Sequence, residues 1–174
     1  MSDTQYLAAK TIDEAVQAHN QANGSARFLA GGTDLLVQIK SGIKKPNLVI
    51  DVKKIVELNN IEEISENQFV VGASVSGANL NRNKKFSSLW PGVIEAFRLI
   101  GSEQIQGRAS LGGNLCNGSP AGDSVPALIA AGCTAIIAGP DGKKELPIEE
   151  FHTGPGKTVL KNGEILVSLK FPKR

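Results

Sequence analysis

Two glycine-rich stretches carry the residue types from which proteins build anion sites. The first is Leu29-Ala30-Gly31-Gly32-Thr33-Asp34-Leu35-Leu36. Glycines let the main chain approach a ligand closely and take positive φ. Consecutive free amides form a nest for phosphate oxygens, and a helix start after them adds its positive dipole end. Thr33 supplies a hydroxyl donor. The same residues also suit a tight strand-to-helix turn with Asp34 as a plain N-cap. No Walker lysine follows, and no GxGxxG is present, so neither a P-loop nor a Rossmann dinucleotide site is indicated. The second stretch runs from Gly107 to Asp123, GRASLGGNLCNGSPAGD, with five glycines and one proline between 107 and 122. It reads as a loop; a surface Ω-loop is the plain alternative, although long loops without regular structure are more often functional. Two separated Gly-Gly loops suit one long ligand gripped at two points. A dinucleotide such as FAD has that shape, and its pyrophosphate could lie between amides of both loops without a basic cluster.

The composition narrows the classes. Among 174 residues there are 19 Lys and Arg against 17 Asp and Glu, a formal charge of +2. Such a balance argues against an electrostatic nucleic-acid binder, and 5% aromatics argue against base-stacking platforms. No apolar run approaches the roughly 20 residues of a membrane span. The start, Met1-Ser-Asp-Thr-Gln-Tyr6, lacks the pattern of a secretory leader. Cys116 and Cys133 are the only cysteines, too few for a disulfide framework or an iron–sulfur cluster that needs four. A reducing, cytoplasmic setting follows.

The elements that must hold these stretches fall into two groups. In residues 1–57, Thr11 to Glu14 has capping-box spacing, and Ile12, Ala15, Val16 and His19 share a helical face that ends near Asn23-Gly24. Ala26–Leu29 and 47–51 read as buried strands, with a short helix from Leu35 to Lys40 between them. The β-α-β-α-β order predicts a small parallel sheet. In residues 58–174, strands are expected at 61–64, 68–71, 134–138, 143–146 and 164–171, and helices at 76–83, 91–100 and 123–131, the last with Asp123 as N-cap. This second lobe reads as α+β, mostly antiparallel.

Three segments occur in an order that carries a resemblance: Ala30-Gly-Gly-Thr-Asp-Leu-Leu36, Ser110-Leu-Gly-Gly-Asn-Leu-Cys-Asn-Gly-Ser-Pro-Ala-Gly-Asp123 and Gly154-Pro-Gly-Lys-Thr-Val-Leu160. Together they resemble the FAD-binding medium subunit of molybdenum hydroxylases, the relatives of xanthine dehydrogenase and aerobic carbon monoxide dehydrogenase. The likeness spans nearly the whole chain, and its second segment is the specific one. It implies the two-lobed FAD-binding fold of the vanillyl-alcohol oxidase type. It places Gly31, Gly32, Thr33 and Asp34, flanked by Ala30 and Leu35, at the pyrophosphate and ribityl region. Ser110, Gly113, Asn114 and Asn117 would line the other side of the diphosphate, and Asp123 would meet the adenosine end. Leu160 would pack on the isoalloxazine. Ile100 stands where the animal enzymes carry an aromatic contact. Lys157 is placed near the flavin, where a positive charge stabilises an anionic reduced form, or is a solvated loop lysine.

The reaction so implied is electron transfer, with no catalytic residue in this chain. A large molybdopterin subunit would oxidise the substrate. Two [2Fe-2S] clusters of a small subunit would relay electrons to the flavin, which would pass them to NAD or another acceptor. Neither glycine loop contains His, so the FAD is expected to be non-covalent. Cys116 is a contact through its backbone or a packing residue, Cys133 is expected to be buried, and His19 structural. Relatives usually continue into a further C-terminal domain, which is expected to be absent here. Two other classes fit the same fold: a stand-alone flavin reductase or oxidase, and a binding module that has lost its cofactor.

Overall fold

The computed structural model describes residues 4–174; the expectation of no leader falls partly on residues 1–3, outside the described residues. The first group of elements is β1 (Gln5–Ala8), α1 (Ile12–Gln21), β2 (Ala26–Leu29), α2 (Leu35–Lys40), β3 (Leu48–Asp51) and α3 (Val56–Asn59). The three strands form a parallel sheet in the order β1-β3-β2. α1 starts as the sequence predicts, with the Glu14 N–H donating to Thr11 Oγ1 at 3.1 Å. The reciprocal bond is shifted by one residue, because Glu14 Oε2 accepts from the Lys10 N–H at 2.8 Å. Asn23 and Gly24, with φ of 47° and 85°, turn the chain out of α1.

The second group is β4 (Ile61–Ser65), β5 (Gln68–Gly72), α4 (Gly77–Arg82), α5 (Lys84–Leu89), α6 (Pro91–Arg98), α7 (Glu103–Gln106), α8 (Leu111–Asn117), α9 (Ser124–Ala130), β6 (Thr134–Gly139), β7 (Gly142–Pro147), β8 (His152–Gly154), β9 (Lys157–Thr158) and β10 (Ile165–Phe171). Five strands build an antiparallel sheet in the order β4-β5-β10-β6-β7, and β8 pairs with β9. A small parallel sheet beside a larger antiparallel one is the architecture expected. The last residues of the first group and the first of the second meet at α3, whose Leu58 is buried in the core that the two sheets share.

Two local expectations fail. The stretch read as a loop contains α8, capped at its start by Ser110 Oγ, which accepts from the Gly113 N–H at 3.0 Å. Gly118, with φ of 61°, ends it. Leu111 and Leu115, one turn apart, are buried and hold against the core a segment whose glycines and asparagines disfavour helix. Asp123 is not a side-chain cap; it is itself in the α-helical region and exposed. The chain is already turning before it, with Gly122 N–H donating to Ser119 O and Val125 N–H to Gly122 O.

Strand β10 joins two cores. Leu166, Leu169 and Phe171 face one that contains Phe86, Trp90 and Leu115. Ile165 and Val167 face the other, with Ala9, Ile12, Ala15 and Ile50 of the first lobe. Side chains alternate along a strand, and a bulge between Leu166 and Ser168 shifts the step. Phe171 is fully buried, with Phe86 edge-on at 4.8 Å and Trp90 at 5.3 Å. His19 stacks on Phe28 at 4.4 Å and its Nδ1 accepts from the Gly163 N–H at 3.0 Å. Burial, with Arg27 nearby, holds the His19 pKa below its ordinary 6.5.

Phe171→Ala should cost about 3–5 kcal/mol in chemical denaturation, the usual range for an emptied aromatic core position. Because His19 is kept neutral, its contribution to stability is whole above pH 6.5 and falls as the pH drops through the lowered folded value. Replacing His19 by Gln should flatten that part of the stability–pH curve.

Candidate functional site

The two glycine stretches meet at the seam between the lobes. β2 delivers the chain to Ala30, and α2 leaves from Leu35. Gly31 packs so tightly on the backbone of Arg108 and Ala109 that a Cβ there would lie 1.9 Å from the Arg108 carbonyl oxygen. The Arg108 side chain closes the same contact, its Nε donating to Gly31 O at 3.3 Å. The second stretch is in turn fastened to the second lobe: the Gly77 N–H donates to Ala109 O at 2.9 Å, and Ser110 bridges Ser76. Gly32, with φ of 78°, takes a turn that a side chain would strain.

Among the described residues the amides of Gly31, Gly32, Thr33 and Asp34 donate to no protein acceptor. All four residues are half-buried. The Asp34 carboxylate accepts from Gln38 Nε2 at 2.5 Å instead of capping α2. Unpaired, partly shielded amides in a row are a ready receptor for an anionic oxygen.

The third stretch joins the second. Gly156 N–H donates to Gly118 O at 2.8 Å, and a Cβ on Gly118 would lie 3.0 Å from Lys157 N. His152 Nε2 donates to Leu115 O at 2.7 Å, tying β8 to α8. Lys157 is exposed, and Leu160 is half-buried against the larger core. Asn114 Oδ1 accepts from Ser124 Oγ at 2.7 Å, which locks α8 to α9. Asn117 is exposed, as is Asp123. Ile100 follows α6 and packs against the larger core, which includes Leu111 and Leu115 of the second stretch. Cys116 is exposed on α8, and Cys133 is buried.

At the Gly31–Arg108 contact lies a cleft of about 230 Å³, lined by Ala30, Gly31, Lys53, Ser76, Asn79 and Arg108 among others. Lys53, Ser76 and Asn79 lie outside the glycine stretches, with no motif to link them, and Arg108 lies in the second stretch without the sequence assigning it a role. Lys53 Nζ lies 2.7 Å from Asp51 Oδ2 and donates to Ala30 O at 3.3 Å. Tyr6 Oη donates to the same carboxylate at 2.6 Å. Burial alone would raise the Asp51 pKa, but the bonds from Lys53 and Tyr6 outweigh it and hold the carboxyl below its ordinary 3.8.

Fold and loop geometry together define a two-lobed domain with a row of unpaired backbone amides at its seam. The profile of the family described as "FAD binding domain in molybdopterin dehydrogenase" matches residues 2–174. The chain belongs to this family of FAD-binding domains. It is 31% identical over 168 residues to the carbon monoxide dehydrogenase medium chain of Hydrogenophaga pseudoflava, covering 97% of this chain and 58% of that one. It is 32% identical over 167 residues to the xanthine dehydrogenase FAD-binding subunit of Escherichia coli O157:H7, covering 96% and 57%. The solved carbon monoxide dehydrogenase of H. pseudoflava that lacks the Mo-pyranopterin moiety superposes with a TM-score of 0.94 at 30% identity, over 98% of this chain and 59% of that chain. The chain thus spans under three-fifths of the length of these relatives. Among the described residues no helix is long and apolar enough to cross a membrane.

The glycines divide by what a side chain would meet. Gly31→Ala should lose at least about 2–3 kcal/mol, since the new methyl overlaps backbone that cannot rotate away. A Cβ on Gly113 would meet only Ser110 Oγ, at 3.1 Å, so Gly113→Ala should stay within about 1 kcal/mol of wild type. Urea denaturation of the two variants side by side checks the contrast.

Proposed function

We propose that the chain binds FAD non-covalently and serves as the electron-transfer flavoprotein part of a molybdenum hydroxylase. The reading is supported most directly by the row of unpaired amides at residues 31–34, held against the segment that opens α8. The residues present suit a diphosphate: the donors of residues 31–34 are neutral backbone amides, and the Asp34 carboxylate beside them is engaged by Gln38.

On this reading Gly31, Gly32 and Thr33 donate backbone hydrogen bonds to one flank of the diphosphate. The first turn of α8, around Gly113, faces the other flank, and Gly113 lacks a side chain so that the ligand can approach. Asn117, near the C-terminal end of that helix, supplies an amide side chain. Asp123 accepts from the adenosine end, while Leu160 and Lys157 border the flavin ring; Ile100 completes the proposed set. Bound FAD supplies two-electron redox chemistry that can also run in single-electron steps. The chain's own work is to bind, orient and shield. Electrons are proposed to arrive from iron–sulfur clusters of a small partner subunit, ultimately from a large molybdopterin subunit, and to leave to NAD or another acceptor. The relatives' names, a medium chain and a FAD-binding subunit, support such an assembly, and a cytoplasmic setting suits its reducing cofactors.

Purified protein should be yellow, and acid precipitation should release the chromophore into the supernatant. Gly113→Leu should fold normally yet lose FAD, because its side chain projects where the diphosphate is placed. Wild-type protein that neither retains nor takes up FAD, or a Gly113→Leu variant with full FAD content, contradicts the assignment. The chain alone should not hydroxylate a purine or an aldehyde.

A further inference from the structure

The Ala30 and Gly31 carbonyls are the acceptors of two side-chain cations. Lys53 Nζ donates to Ala30 O at 3.3 Å, and Arg108 Nε donates to Gly31 O at 3.3 Å. A peptide unit is planar, and in its trans form the C=O and the following N–H point in opposite directions. There are no cis peptides among the described residues. The bond to Ala30 O therefore fixes the direction of the Gly31 N–H, and the bond to Gly31 O fixes that of the Gly32 N–H. These are two of the four amides that lack a protein acceptor. Both cations line the cleft together with Ala30 and Gly31, and the amides that follow the two held carbonyls point away from the cations.

We infer that Lys53 and Arg108 are positioning residues: by holding the carbonyls of Ala30 and Gly31, they aim the Gly31 and Gly32 amides at the cofactor diphosphate. The inference rests on the proposed FAD site and adds how its donors are oriented. Asp51 extends the arrangement. Its carboxylate holds Lys53 at 2.7 Å and is itself held by Tyr6 at 2.6 Å, so the ammonium is kept over Ala30 although its side chain is 38% exposed. Glycine at 31 and 32 makes such guidance necessary. These residues have the widest choice of φ and ψ, so bonds to the Ala30 and Gly31 carbonyls narrow the directions that their peptide planes can take. An orienting bond from a charged donor is worth enough to change affinity by roughly tenfold.

The alternative role for the same cations is direct charge attraction to the diphosphate. Substitutions at Arg108 separate the two, because that side chain is exposed and its loss should not threaten folding. FAD affinity would be measured by flavin fluorescence quenching across a range of salt concentrations, for wild type, Arg108→Met, Arg108→Gln and Lys53→Met. Amide spectra of the FAD-free proteins would be recorded in parallel. The expected result is a loss of about tenfold in Arg108→Met and in Lys53→Met, partial recovery in Arg108→Gln, which keeps a neutral donor, and a salt dependence that does not change. The Gly32 amide resonance should move in FAD-free Arg108→Met, and that of Gly31 in Lys53→Met.

Equal losses in Arg108→Met and Arg108→Gln with a shallower salt dependence would overturn the positioning role in favour of direct attraction. Wild-type affinity in both Met variants would overturn it outright, while Gly113→Leu still tested the FAD site itself. If wild-type protein bound no FAD, the functional assignment would fall. The orientation claim would then be decided by the FAD-free spectra, where unmoved Gly31 and Gly32 amides would refute it.

Discussion

The close approach of Gly31 to the Arg108 carbonyl is the constraint on which the site depends. Main chain meets main chain there with no room for a Cβ, so the two glycine stretches, more than seventy residues apart in sequence, are set in register by direct contact, closed by the Arg108 Nε bond to Gly31 O. The register is supported from both lobes. Ile165 and Val167 of β10 lie in the same core as Ile12 and Ile50. The 162–163 turn also bonds to His19 and Asn20. A rigid seam matters for a receptor made of amides, because ordering it at the moment of binding would consume part of the affinity.

The glycines of the second stretch serve two different purposes. A Cβ on Gly112 would fall 2.5 Å from Ala73 O, so this residue lets α8 sit down on the strand-end segment beneath it. Gly118 terminates the helix with positive φ and receives the Gly156–Lys157 turn. Both would be required if no ligand existed. Gly113 alone of the three has open space beyond its cap, and packing gives no reason for its being glycine. A motif that looks uniform in sequence is therefore part scaffold and part opening.

Much of the scaffold could be read from the residues, because burial and periodicity are local. The apolar runs at 26–29 and 48–51 could hardly be anything but buried strands, and the Thr11–Glu14 pair marks a helix start one residue before it begins. α8 was hidden because propensity and packing disagree there. Gly112, Gly113, Asn114 and Asn117 disfavour a helix, while Leu111 and Leu115 at i and i+4 and caps at both ends impose one. Asp123 was misread for a related reason: Ser119 and Gly122 already turn the chain, and the position needs no cap. The cleft could not be read at all. Lys53, Ser76 and Arg108 reach it from the end of β3, from the N-cap of α4 and from the turn before α8, and only the assembled seam brings them together.

A receptor of peptide dipoles and a receptor of side-chain cations answer to different forces. Cations attract anions over a Debye length and are weakened by salt; amide dipoles act at hydrogen-bond range and depend on direction. A chain with a formal charge of +2 has little long-range attraction to offer, so discrimination must come from where the amides point. This places the burden on whatever holds the peptide planes. In this fold the carbonyl ends of those planes have charged partners, and the partners are themselves held, Lys53 by Asp51 and Asp51 by Tyr6. On the proposed reading the positive charges contribute without forming a basic patch, and the near-neutral composition, which argues against an electrostatic nucleic-acid binder, is compatible with a site for a doubly charged diphosphate.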